Sequence, residues 1–117
     1  MKIYISGPIT GRDPEQVKLA FDTAEQEIRS KGHEPVNPHK LQSILDPETT
    51  TWEQYMRPAL ALLSICDAIC MLDGWIKSKG AHIEHAHAWA EGITIFDDTS
   101  KIWDAEQEET EEGRQRQ

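Results

Sequence analysis

The chain has no apolar run of membrane-spanning length, no surplus of positive charge and only two cysteines. The first absence excludes a spanning helix, which needs about 20 consecutive apolar residues. The apolar part of the N-terminus, Met1-Lys2-Ile3-Tyr4-Ile5-Ser6, is also too short for a secretory signal, so a cytoplasmic location is the default expectation. The second absence argues against a nucleic-acid partner: 21 acidic residues against 12 basic ones give a formal net charge of −9, the wrong sign for a phosphate backbone. The third excludes a disulfide scaffold. Cys66 and Cys70, four apart beside or within a strand, are expected to point the same way and to be buried free thiols of a reducing compartment. Two chemical signatures are missing as well. Gly7 and Gly11 do not make the G-x-G-x-x-G dinucleotide fingerprint, and His82, His85 and His87 lack the H-E-x-x-H spacing that puts two histidines on one face. No cofactor and no metal is expected.

What is present fits one soluble domain. The 117 residues are 38% hydrophobic and 28% charged, enough for one core and not for two. The charge is uneven: residues 104–117 hold six acids and two arginines, so this tail carries −4 and the rest −5. With almost no apolar residues it is expected to be disordered or frayed helix, leaving 1–103 as the domain. An acidic body still binds a phosphate where local backbone dipoles dominate at contact distance.

Strands and helices alternate along the chain. The β-branched and aromatic run Lys2–Ser6 predicts a first strand, followed by a shaped loop with Gly7, Pro8, Gly11 and Pro14. Asp13 as cap and Pro14 at the first position open a helix to about Lys31, with Val17, Ala20, Phe21, Ala24 and Ile28 on one stripe and Gly32 ending it. Glu34–Asn37 is a short second strand, and Lys40–Leu45 a possible helical turn. Thr50 with Glu53, or Thr51 with Gln54, caps a helix whose core face is Trp52, Met56, Leu60 and Leu63; Pro58 predicts a kink or a late start. Ala68–Leu72 is an apolar third strand, Ile93–Phe96 a fourth, and Lys101–Trp103 a candidate fifth. The alternation implies an α/β fold, a doubly wound parallel sheet of four to five strands with right-handed crossovers. Ligands then sit outside the carboxyl ends of the strands. That selects the loop after the first strand, Asn37-Pro38, and Asp73 to Glu84. Asp67, at the opposite end, is structural.

The most informative stretch is Ser78 to Glu91, where a glycine loop runs from a strand into a helix N-terminus. Unpaired N–H groups and the helix dipole make such a terminus an anion site. Glu84 sits in its first turns, either complementing the dipole or as a nucleophile or base aimed into the cleft. Taking about 100° per residue, Ile83, Ala86, His87 and Ala90 form the sheet-facing stripe, with Glu84 flanking it. Tyr4, near the carboxyl end of its strand, is either core or within reach of the cleft. Gly7 and Gly11 either bring backbone N–H groups to a ligand or only make a turn. Trp75 reads as a loop lid and Trp89 as a packing residue.

These residues resemble the nucleoside 2-deoxyribosyltransferase family with its 2′-deoxynucleoside 5′-phosphate N-hydrolase relatives. The likeness runs from the first strand to the fourth. It rests on Tyr4-Ile5-Ser6-Gly7-Pro8-Ile9-Thr10-Gly11 and on Cys66-Asp67-Ala68-Ile69 leading to Ser78-x-Gly80-Ala81-x-x-Glu84-x-x-x-Ala88. The resemblance implies a flavodoxin-like (Rossmann-like) fold, a small-molecule nucleoside or nucleotide substrate and a homo-oligomer, with no membrane partner. It gives Glu84 the role of nucleophile at the anomeric carbon and Tyr4 that of orienting it. Gly7, Pro8, Ile9, Ser78, Gly80, Asp73 and Trp75 are then the substrate-binding candidates. Serine at 78, where the transferases tend to carry an acid, favours a 5′-monophosphate, because a carboxylate would repel it. Where the family generally has an aspartate that protonates the leaving base, this chain has Ala59, and Asp73 is the candidate substitute. The leading expectation is N-glycosidic cleavage of a (deoxy)nucleoside 5′-monophosphate. The alternatives are base exchange between deoxynucleosides and a catalytically silent nucleotide-binding module.

Overall fold

The computed structural model describes residues 1–106. Four strands, β1 (Lys2–Ser6), β2 (Glu34–Val36), β3 (Ala68–Met71) and β4 (Thr94–Phe96), form one sheet in the order β2-β1-β3-β4, every pairing parallel. Three helices connect them: α1 (Pro14–Ser30), α2 (Trp52–Ser64) and α3 (Lys79–Glu91). The strand order reverses between β1 and β3. Right-handed crossovers running outward in opposite directions put helices on both faces, and the reversal leaves a crevice at the carboxyl ends. This is the flavodoxin-like α/β architecture expected from the sequence.

Strand alternation divides the core in two. Ile3 and Ile5 of β1, with Ala68 and Cys70 of β3, pack against Val17, Phe21, Ala24 and Ile28 of α1. Tyr4 of β1, with Ile69 and Met71 of β3, packs against Leu63 of α2 and Ala81 and Ala88 of α3. Because side chains alternate along a strand, Tyr4 shares its face with Ser6, and that face looks toward α3. The close approach of β1 and β3 is recorded at Gly7, where a β-carbon would stand 2.9 Å from Leu72 Cβ. Gly7→Ala is therefore expected to cost about 1–3 kcal/mol by overpacking, measured as a lowered urea midpoint.

Several local expectations are corrected. The α2 helix opens at Trp52 and runs through Pro58, with no late start. Its capping box joins Thr51 and Gln54, each side chain bonded to the other's backbone N–H; these bonds hold the first turn ahead of the proline. Asp13 sits at the N-cap of α1 with Pro14 next, but its side chain makes no capping bond. Ala20 is exposed. Lys101–Trp103 is not a fifth strand: Thr99–Lys101 is a 3-10 turn, Ile102 enters the core and Trp103 meets Phe96 edge-on. Cys66 and Cys70 are buried free thiols, but they belong to opposite cores, because Cys66 precedes the strand and escapes its alternation. Burial pushes the two thiols up to about 11 and about 12, respectively. No helix among the described residues is long and apolar enough to cross a membrane. Most of the acidic tail, from residue 107, lies outside the described residues.

Candidate active site

The largest correction concerns α3. Its buried residues are Ala81, Glu84 and Ala88, whereas Ile83, Ala86 and Ala90 are exposed. A carboxylate therefore occupies the middle of the sheet-facing stripe instead of its flank. Small residues three before and four after it let the helix lie close on the sheet. The helix phase follows the polar contacts of Glu84 and not the side chains of highest hydrophobicity.

Those contacts come from one strand face. The Tyr4 hydroxyl donates to Glu84 Oε2, and Ser6 Oγ donates to Glu84 Oε1 at 2.8 Å. Glu84 is 6% exposed and Tyr4 fully buried. Burial raises the Glu84 carboxyl to about 7, while the bonds from Tyr4 and Ser6 pull the other way. Tyr4 is raised well above its ordinary range, by burial first and by the Glu84 charge second, so its phenol stays a donor. Glu84 is thus held in one orientation by two fixed donors and is poised to change charge near neutrality.

Above Glu84 opens a cleft of about 890 Å³ at the carboxyl ends of the strands. Gly7, Pro8 and Ile9 line it from the β1 loop, and Ser78 and Gly80 from the start of α3. Seven of the nine candidates thus fall at the cleft or, for Tyr4, directly beneath its carboxylate. Asp73 and Trp75 do not line it. Asp73 is exposed on the loop after β3, and Trp75 stacks on His85 of α3, ring centroids 4.7 Å apart. The lid expected of Trp75 is a packing contact, and Trp89, expected to pack, is 77% exposed. The histidines have separate partners: His82 bonds the Ile76 carbonyl, and His87 meets Ser64 Oγ at 2.8 Å and Glu91 at 3.2 Å.

Ser78 is the N-cap of α3, its Oγ accepting from Ala81 N–H at 3.2 Å. A hydroxyl that accepts through oxygen keeps its proton to donate. The N–H groups of Lys79 and Gly80 have no partner among the described residues and point where the helix dipole favours an anion.

Residues that sequence reasoning missed complete the site. Ser6 follows Tyr4 by two positions, so strand alternation alone placed it beside Glu84. Trp52 and Tyr55, three apart on α2, share one face and line the cleft. The Tyr55 hydroxyl donates to the Pro38 carbonyl at 3.1 Å, which ties α2 to the 3-10 segment Pro38–Ser43 that follows β2. Arg12, Lys77 and Lys79 also line the cleft, and the Lys79 ammonium lies 4.3 Å from the Trp52 ring centroid.

A family profile described as "Domain of unknown function (DUF4406)" matches residues 1–97. The chain belongs to this family. No curated protein matches this DUF4406 chain at a significant level. Two solved structures are similar to it. One is a 2-deoxyribosyltransferase from Bacillus psychrosaccharolyticus, at 23% identity and TM-score 0.63, over 81% of this chain and 69% of the other. The second is a CMP N-glycosidase from Clostridium botulinum, at 21% identity and TM-score 0.54, over 81% and 66%. The DUF4406 domain therefore has the fold of the nucleoside deoxyribosyltransferase group that its motifs resemble.

Proposed function

We propose that the protein cleaves the N-glycosidic bond of a (deoxy)nucleoside 5′-monophosphate. The observation that carries the reading is Glu84: a buried carboxylate, oriented by Tyr4 and Ser6, facing a cleft whose rim offers Ser78 and the free N–H groups of α3. The anion site takes the 5′-phosphate and sets the sugar over the carboxylate. One oxygen of ionised Glu84 attacks the anomeric carbon as the C–N bond breaks, and the bonding pair leaves with the base. The result is a glycosyl ester, which water hydrolyses to free sugar phosphate and ionised Glu84, the hydroxyl of the water going to the sugar and its remaining proton ending, through solvent, on the departed base. One of the two similar structures is a CMP N-glycosidase, a nucleoside monophosphate enzyme by its name.

Ala59 supports a second reading, binding without turnover. It is fully buried on the face of α2 that carries Trp52, Tyr55 and Met56, and it offers the departing base no proton. Loss of a general acid costs about 10²–10⁴-fold. Incubation with ribo- and deoxynucleoside 5′-monophosphates of each base, followed by chromatography, separates the readings. Free base and sugar phosphate support cleavage. A new nucleoside on adding a second base supports exchange. Nucleotide binding by calorimetry with no product supports the silent module.

Cleavage also carries a pH signature. Glu84 attacks only when ionised, so kcat/KM is expected to rise with pH along a limb near 7. Tyr4→Phe removes a donor that favours the charged form, so its limb moves to higher pH. Its rate at pH 7 is expected to fall about 10–100-fold, the worth of a hydrogen bond to a charge. An unmoved limb would separate Tyr4 from the ionisation of Glu84.

A further inference from the structure

Three cations line the cleft, and the monophosphate reading does not use them all. Among the described residues, three basic side chains, Arg12, Lys77 and Lys79, line the cleft, against two acidic ones, Glu53 and Glu84. More cations than carboxylates thus line this cleft, in a chain of net charge −9. Glu84, titrating near 7, is partly neutral there.

Two of the three meet at one loop. Lys77 and Lys79 flank Ser78. Arg12 reaches over from the β1 loop and seats its guanidinium against Gly74, with Nη2 3.0 Å from where a β-carbon would stand. Gly74 has φ +85 and begins the turn whose carbonyl accepts from Lys77 N–H at 3.2 Å. Glycine is favoured there by the left-handed backbone, and the arginine's guanidinium lies close against it. Neither Arg12 nor Lys77 has a carboxylate partner among the described residues. Lys79 is held over the Trp52 ring.

The Ser78 hydroxyl, the Lys79 and Gly80 N–H groups and one neighbouring cation are enough to hold a first phosphoryl group. Two cations then remain on the same rim, one of them a planar fork suited to two phosphate oxygens at once. We propose that the cleft selects nucleotides with a 5′-diphosphate, the first phosphoryl at Ser78 and the second between Arg12 and Lys77. This inference rests on the nucleotide reading above and extends its ligand class from the 5′-monophosphate to the 5′-diphosphate, with the chemistry at Glu84 unchanged.

The test is calorimetric titration of Glu84→Gln protein, which does not consume its ligand. The probes are adenosine, guanosine, cytidine and uridine with their 5′-mono- and 5′-diphosphates. For at least one base the diphosphate is expected to bind at least about tenfold more tightly than the monophosphate. That preference is expected to disappear in Arg12→Gln/Lys77→Gln protein. It should persist in Arg29→Gln/Lys101→Gln protein, which loses the same charge away from the cleft. Mono- and diphosphates binding alike, both more tightly than the nucleoside, would overturn the diphosphate site and leave the monophosphate reading standing. Phosphates giving no advantage over the nucleosides would overturn both. A preference that survives the Arg12/Lys77 change, or is lost equally in the control, would overturn the assignment to these residues.

Discussion

Glu84→Gln is expected to lower base release by on the order of 10⁴-fold or more, the scale seen when an enzyme loses its nucleophile. Glutamine preserves the length and shape of the side chain and still accepts from one of the Tyr4 and Ser6 hydroxyls. It cannot form the glycosyl ester. Nucleotide binding should change little, because the proposed phosphate contacts lie at Ser78 and the N-terminus of α3. The effect therefore belongs in kcat with KM nearly unchanged. Steady-state kinetics on the best monophosphate reads it directly, and a loss confined to KM would make Glu84 a binding group.

The same substitution is expected to stabilise the protein at alkaline pH. Burial lifts the Glu84 carboxyl from an ordinary 4.5 to about 7, so the folded chain keeps a proton that the unfolded chain releases. Below pH 4.5 both states are protonated and nothing is lost. Between 4.5 and 7 the unfolded state binds fewer protons, so stability falls as pH rises. Above 7 the folded protein carries the full cost of a buried charge, roughly 3 kcal/mol at ~1.4 kcal/mol per pH unit. Glutamine has no such cost. Urea unfolding at pH 5 and pH 8 should show the variant gaining on the wild type by roughly that amount between the two. An equal difference at both pH values would mean that Glu84 does not titrate in this window. A protein that is more stable without its buried carboxylate is one that keeps the group for chemistry.

Much of this site was legible in the residues. Period-2 alternation in Lys2–Ser6, the glycine loop and the helix start at Ser78 set the strand, the proposed anion site and the carboxylate in order along the chain. The parallel sheet then brought Tyr4 and Glu84, 80 positions apart, into contact. What misled was hydrophobic phase. On α3 the apolar stripe Ile83, Ala86, Ala90 faces outward, and a polar cluster sets the buried face. Period arguments assume that burial follows hydrophobicity, and on α3 the small residues Ala81 and Ala88, with the hydrogen bonds made to Glu84, mark the buried face instead. The carboxyl-end rule brought Asp73 and Trp75 into the candidate site along with Ser78. Only the path of the loop after β3, which turns Trp75 onto α3 while Lys77 and Ser78 line the cleft, separates them. The cations were missed for a simpler reason: Arg12, Lys77 and Lys79 are far apart or flank other residues in sequence, and only the fold makes them one rim.

The covalent ester at Glu84 is the claim on which the rest depends. A 2′-fluoro nucleotide slows both chemical steps, because an electron-withdrawing group opposes oxocarbenium character, and an ester with a slowed second step accumulates. Intact-protein mass measured after mixing should rise by the mass of the fluorinated sugar phosphate less one water, and peptide mapping should place the increment on Glu84, with none in Glu84→Gln protein. Free base released with no mass change, or an increment on another residue, would contradict the account.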